Sequence, residues 1–206
     1  MARGLGYLHS RSPPLVHRDV KSANVLLKRP AGGGPETLLI NDFGLARHVP
    51  AEGGAKSPPP AAALAAHASA ARREMTGETG SYRWMAPEVV RHEAYGLASD
   101  VYSFGVLLWE MLAYAVPFAE LDPVQAALAV ATQGLQLQTP DCAAAAEWAP
   151  AAALMHACLE HRAEARPTFA HVVAALEQLT NGAAGGALQK ENPLLQNAPP
   201  PPQPPA

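Results

Sequence analysis

Cysteine is nearly missing from this chain: Cys142 and Cys158 are the only thiols among 206 residues. Two thiols in a chain this long make no disulfide framework and show no metal-ligand spacing, which predicts a reducing, cytoplasmic setting. An excess of either charge is also lacking, the net being -3, so neither a nucleic-acid partner nor a membrane-surface role is expected. No apolar run is long enough to read as a membrane span. The longest, Val101 to Phe118, carries Ser103, Glu110 and Pro117, and a buried helix is expected there instead. The first residues lead straight into a polar stretch with Arg and His, without the apolar core of a secretory signal. Histidine is plentiful, but His48, His67, His92, His156, His161 and His171 stand at unrelated spacings, so surface or packing roles are expected rather than a metal site.

Large apolar residues are scarce in two further stretches. Residues 181–206 end in a proline run and read as a disordered tail, and residues 49–75 are a Gly-, Pro- and Ala-rich insertion. The alanine-rich part of that insertion, Ala61 to Arg73, is short enough that an isolated helix would be marginal. What is left, within residues 1–180, is one domain's worth of core.

The remaining pattern is mainly helical with one small β-hairpin. Ala2 to His9 reads as the end of a helix, broken by Pro13-Pro14. Val25–Leu27 and Thr37–Ile40 read as two short strands around the glycine-rich turn Ala31 to Pro35. Helices are expected at about Ala98–Ala113, Pro123–Gln133, Ala151–Glu160 and Thr168–Leu179.

The chemistry is concentrated in Leu15 to Leu27, LVHRDVKSANVLL. Asp19 and Asn24 lie five residues apart with Lys21 between them, so a loop closing onto the next strand can aim all three into one small volume. A carboxylate to orient and deprotonate a hydroxyl, an amide oxygen for Mg²⁺ and an ammonium to offset developing negative charge are what phosphoryl transfer requires. His17-Arg18-Asp19 with Asn24 resembles the catalytic loop of eukaryotic protein kinases. Asp42-Phe43-Gly44 after the apolar strand Leu38 to Ile40, then Ala86-Pro87-Glu88, then Asp100 opening an apolar helix, then Arg166-Pro167, follow in that family's order.

Finer features narrow the resemblance. Lys21 in the loop and Ser81 in Gly80-Ser81-Tyr82-Arg83-Trp84-Met85 are similar to the serine/threonine pattern. Trp84-Met85-Ala86-Pro87-Glu88 with Asp100-Val101-Tyr102-Ser103-Phe104-Gly105 resembles the tyrosine-kinase-like group. Met75 to Gly80 and Pro123 to Ala127 bring it close to plant and algal Raf-like MAP kinase kinase kinases. Some of that subgroup are dual-specificity, which leaves tyrosine as a second acceptor.

The resemblance implies the helical C-terminal lobe of the kinase fold, using ATP and Mg²⁺ to phosphorylate a protein substrate. It makes Asp19 the base and Lys21 the γ-phosphate partner, Ser81 a hydroxyl bridging those two, and Asn24 and Asp42 the Mg²⁺ ligands. Asp100 would hold the catalytic loop's amides, and Glu88 with Arg166 would form a buried ion pair. Arg18 marks the class regulated by loop phosphorylation, at Thr76 or Thr79, by an upstream kinase or by the enzyme itself. The glycine-rich phosphate loop, the strand lysine and its glutamate partner, which form the family's N-terminal lobe, are not among these residues. Leu159 also stands where the family usually keeps a tryptophan. Two functions are therefore expected: the catalytic lobe of a truncated kinase, weakly active or inactive alone, or a non-catalytic docking module. A small-molecule phosphotransferase is a third, opposed by Ser81 and Ala86-Pro87-Glu88, which suit a protein-substrate groove.

Overall fold

Asp122-Pro123 begins the helix whose limits are most local in origin. The Asp122 carboxylate accepts from the amides of Val124 and Gln125, the Gln125 side chain returns to the Asp122 amide, and Pro123 needs no amide partner in the first turn. Gly134, at φ 67°, ends it in the left-handed conformation.

The computed structural model describes residues 1–30, 32–49, 81–143 and 145–183. In chain order these form α1 (Ala2–His9), β1 (Leu15–Val16), β2 (Val25–Lys28), β3 (Thr37–Ile40), β4 (Arg47–His48), α2 (Pro87–Val90), α3 (Leu97–Ala113), α4 (Pro123–Gln133), α5 (Ala149–Cys158) and α6 (Phe169–Ala183). Short 3₁₀ turns lie at Ser22–Asn24, Ser81–Trp84, Asp141–Ala143 and Ala163–Ala165. The expected hairpin is β2 against β3, antiparallel, with Val25 opposite Ile40 and Lys28 opposite Thr37. A second antiparallel pair was not anticipated: β1 meets β4, Leu15 facing His48 and Val16 facing Arg47. Two-residue strands carry no period for a sequence pattern to show.

Helix α3 is the axis of the core. Ser99 through Leu108 are all buried, so this helix is apolar nearly all round and is enclosed by its neighbours. Phe104 meets Phe169 edge-on with ring centroids 5.6 Å apart, and His9 meets the same ring at 4.9 Å. Gly105 lets α5 approach closely, since a Cβ there would lie 2.8 Å from the Cys158 Cβ and 3.1 Å from the Leu159 side chain. Leu159 is buried at that contact. Helix α6 begins one residue later than expected, because Thr168 stands before it and accepts from the His171 amide. It continues to Ala183 with no proline to stop it, into the stretch expected to be tail.

Leu26 pairs with Leu39 and Leu27 with Leu38 on opposite faces of the hairpin, and all four, with Phe43 beyond it, are between 43% and 47% exposed. Beside it lies an open groove of about 420 Å³ bordered by Met1, Gly4, Tyr7, Leu39, Ile40 and Phe43. Among the described residues no helix is long and apolar enough to cross a membrane. Nearly all of the 49–75 insertion, Thr76, Thr79 and the tail from 184 lie outside the described residues.

Candidate active site

The site is built where β1 delivers the chain into a tight turn. Arg18 adopts φ 72°, a left-handed conformation unusual for a residue with a side chain and worth about 1–3 kcal/mol of strain. What holds it is Asp100, almost fully buried in the first turn of α3. One carboxylate oxygen accepts from the Arg18 amide at 2.8 Å, and the other accepts from the His17 amide at 2.8 Å. The second oxygen also meets His9 Nε2 at 2.9 Å. His9 is a partner that sequence reasoning missed, since 91 positions separate it from Asp100 and no local spacing marks it.

Beyond the turn, four predicted residues come together. Asp19 Oδ2 accepts from Asn24 Nδ2 at 2.7 Å and lies 3.0 Å from Lys21 Nζ. Asn24 Nδ2 donates its other hydrogen to the Asp19 carbonyl at 2.8 Å, so the amide oxygen is the atom left to face a cation. Lys21 Nζ donates to Ser81 Oγ at 2.7 Å, across 60 positions of sequence. Asp19, Lys21 and Asn24 are all buried, which strengthens each polar contact relative to water.

Asp42 stands apart from this cluster. It follows Asn41, whose amide donates to the Asn24 carbonyl at 2.9 Å, and so it flanks the site at the end of β3. Its φ is 61°, and its exposed carboxylate turns back to the Gly44 amide at 3.1 Å. Asn24 Oδ1 and the Asp42 carboxylate are hard oxygen donors, few in number, which fits Mg²⁺, an ion that takes one or two protein ligands and fills the rest with water and phosphate. Arg18 reaches the Leu45 carbonyl at 3.3 Å and lies 5.3 Å over the Tyr95 ring.

Glu88 and Arg166 pair through both oxygens, at 2.7 and 2.8 Å, with the arginine side chain fully enclosed. The remaining donors of Arg166 reach the carbonyls of Ala98, Glu160 and His161, which uses all five of its N–H groups. Arg166 also lies 5.0 Å over the Tyr102 ring.

Burial pushes the Cys158 thiol up to about 12 and raises the Tyr102 phenol as well, with Arg166 opposing both shifts. In the unfolded chain these groups ionise near pH 8.5 and 10. The folded state keeps its protons longer, so their contribution is fully present below about pH 8.5 and is lost as pH rises toward 12. The unfolding free energy measured in urea should therefore fall steadily above pH 9, by at most about 1.4 kcal/mol per pH unit for each group. A Cys158→Ala chain should show a shallower decline, and equal slopes would mean the thiol titrates alike in both states.

A family model described as protein tyrosine and serine/threonine kinase matches residues 1–176. The chain belongs to the protein kinase family. Its relatives include serine/threonine-protein kinase STY17 of Arabidopsis thaliana, 35% identical over 87% of this chain and 26% of the relative. Mitogen-activated protein kinase kinase kinase 11 of Rattus norvegicus is 38% identical over 87% of this chain and 19% of its own length. Mitogen-activated protein kinase kinase kinase 10 of Homo sapiens is 36% identical over 89% and 17% respectively. The kinase residues described here thus span about a quarter or less of the curated relatives they match. That the relatives include both an Arabidopsis kinase and MAP kinase kinase kinases agrees with the Raf-like, tyrosine-kinase-like character of the motifs.

Proposed function

We propose that this chain carries the helical C-terminal lobe of an ATP- and Mg²⁺-dependent serine/threonine protein kinase of cytoplasmic signalling. In this reading the lobe is residues 1–180, with 49–75 inserted in its activation segment and 181–206 as a tail. The observation that carries it is the closed set Asp19, Lys21, Asn24 and Ser81. Asp19 accepts the proton of a protein Ser or Thr hydroxyl, with tyrosine a second acceptor, and orients its oxygen for attack. Lys21, held between Asp19 and Ser81, offsets charge on the transferred phosphoryl group. Asn24 and Asp42 would hold Mg²⁺, which when bound neutralises charge on the ATP phosphates. Arg18 would receive a phosphate on Thr76 or Thr79, added by an upstream kinase or by autophosphorylation.

A second reading is favoured by the exposed leucines of the hairpin and the groove beside it. The lobe would then act as a non-catalytic docking module. Titration calorimetry of Mg²⁺-ATP into the purified chain separates the two. Catalytic-lobe behaviour predicts Mg²⁺-dependent binding that Asp42→Asn weakens by about tenfold or more, the loss of one charged ligand. No binding by either chain, or binding indifferent to the substitution, would remove catalysis from these residues and leave the docking module.

A further inference from the structure

Glu110 is the one acidic residue within the apolar stretch from Val101 to Phe118. Its two carboxylate oxygens go to different parts of the site. Oε1 accepts from Ser22 Oγ at 2.7 Å, in the 3₁₀ turn between Lys21 and Asn24. Oε2 accepts from Trp84 Nε1 at 3.2 Å, in the 3₁₀ turn that begins with Ser81. The same α3 face anchors that turn a second time, through Ser103 Oγ donating to the Trp84 carbonyl at 2.7 Å.

We infer that Glu110 is a positioning residue that fixes the spacing between the Asp19 loop and the Ser81–Trp84 turn. The Lys21–Ser81 contact joins those segments on the chemical side, and Glu110 joins them from α3. Ser103 and Arg83, the latter donating to the carbonyls of Pro117, Phe118 and Leu121, already anchor the turn to its surroundings, and Glu110 adds a contact that also reaches the Asp19 loop, so the gap between the two segments is held at two points. A misplacement of 1 Å in such a gap can cost a hundredfold in rate. The functional meaning rests on the kinase reading. The strut itself does not.

Both partners of the carboxylate are neutral donors, and this separates positioning from charge. In Glu110→Gln the amide nitrogen can donate to Ser22 Oγ, which accepts as readily as it donates, while the amide oxygen still accepts from Trp84. The strut survives and the charge is gone. In Glu110→Leu both are gone.

The test is hydrogen exchange of the tryptophan indole N–H groups, followed by NMR on the full 206-residue chain. Trp84 is assigned by its loss in Trp84→Phe. Trp109, whose indole donates to the Gln138 carbonyl at 2.7 Å, serves as the internal reference. Trp84 exchange should accelerate about tenfold relative to Trp109 in Glu110→Leu, stay within about twofold in Glu110→Gln, and rise by about threefold in Ser22→Ala, which frees one end of the strut. Unchanged Trp84 exchange in both Glu110→Leu and Ser22→Ala would overturn the proposal. So would a Gln variant as fast as the Leu variant, because the carboxylate would then act by charge. Ser22→Ala changes one hydroxyl and keeps the test decisive where the Leu variant does not fold. With a protein acceptor, kcat should follow the same order, the Gln variant rescued and the Leu variant not. A chain without transferase activity would remove the kinase reading alone, since indole exchange needs no catalysis.

Discussion

Replacing Glu88 with alanine should lower the thermal midpoint by about 6–20 °C. Removing one partner of a buried pair costs about 3–5 kcal/mol, and a chain of this size loses about 2–4 °C per kcal/mol. The cost comes from the survivor. Arg166 cannot shed its charge, is fully enclosed, and in Glu88→Ala would keep three carbonyl partners and lose both oxygens of its carboxylate. Arg166→Met should cost less than Arg166→Ala, since methionine fills part of the same volume. The double variant Glu88→Leu with Arg166→Met should recover much of the loss, because neither charge is then buried alone. Melting followed by circular dichroism measures all four. A shift below about 2 °C for Glu88→Ala would mean that water solvates the guanidinium and that the enclosure is not maintained in solution.

Asp100→Ala should be comparably severe, by a different route. The amides of His17, buried, and Arg18, partly buried, lose their acceptor, and each orphaned donor costs up to about 1–3 kcal/mol, so at most about 2–6 in all. Arg18 also loses what holds it at φ 72°, so the turn carrying Asp19 should relax toward ordinary backbone. Asp100→Asn is no conservative replacement. Its single oxygen can serve one amide, and its NH₂ then faces the other donor, so at most about half the loss should return. Urea unfolding gives the energies, and amide exchange at His17 and Arg18 shows whether the turn has opened. Persistent protection of both amides in Asp100→Ala would mean that a second acceptor holds the turn.

What was legible in the sequence was what local chemistry decides. Pro123–Gln133 was read to the residue because Asp122, Pro123 and Gly134 mark both ends within the helix's own neighbourhood. Thr37–Ile40 was read equally well between its polar flanks. Kinase membership rested on five short motifs in order, and the family comparison supports it. The misses are contacts between distant positions. His9 reaches Asp100 only because α1 packs across the start of α3, and nothing near His9 distinguishes it from a surface histidine. Glu110 left one visible sign, an acid inside an apolar helix, but its partners Ser22 and Trp84 lie 88 and 26 positions away.

The pairing of β1 with β4 makes the stretch between them a closed ring of chain, clasped where Val16 meets Arg47. Asp19, Lys21, Asn24 and Asp42 all sit inside that ring, and the β2–β3 hairpin is its outer lobe. The geometry of the chemical groups is therefore tied to the clasp and to α3, while the hairpin tip near Gly33 and Gly34 is exposed and bears on neither. Since doubling a flexible loop adds only about 0.6 kcal/mol of closure cost, the tip is free to lengthen or shorten over evolution, and the clasp and the chemistry would not move with it.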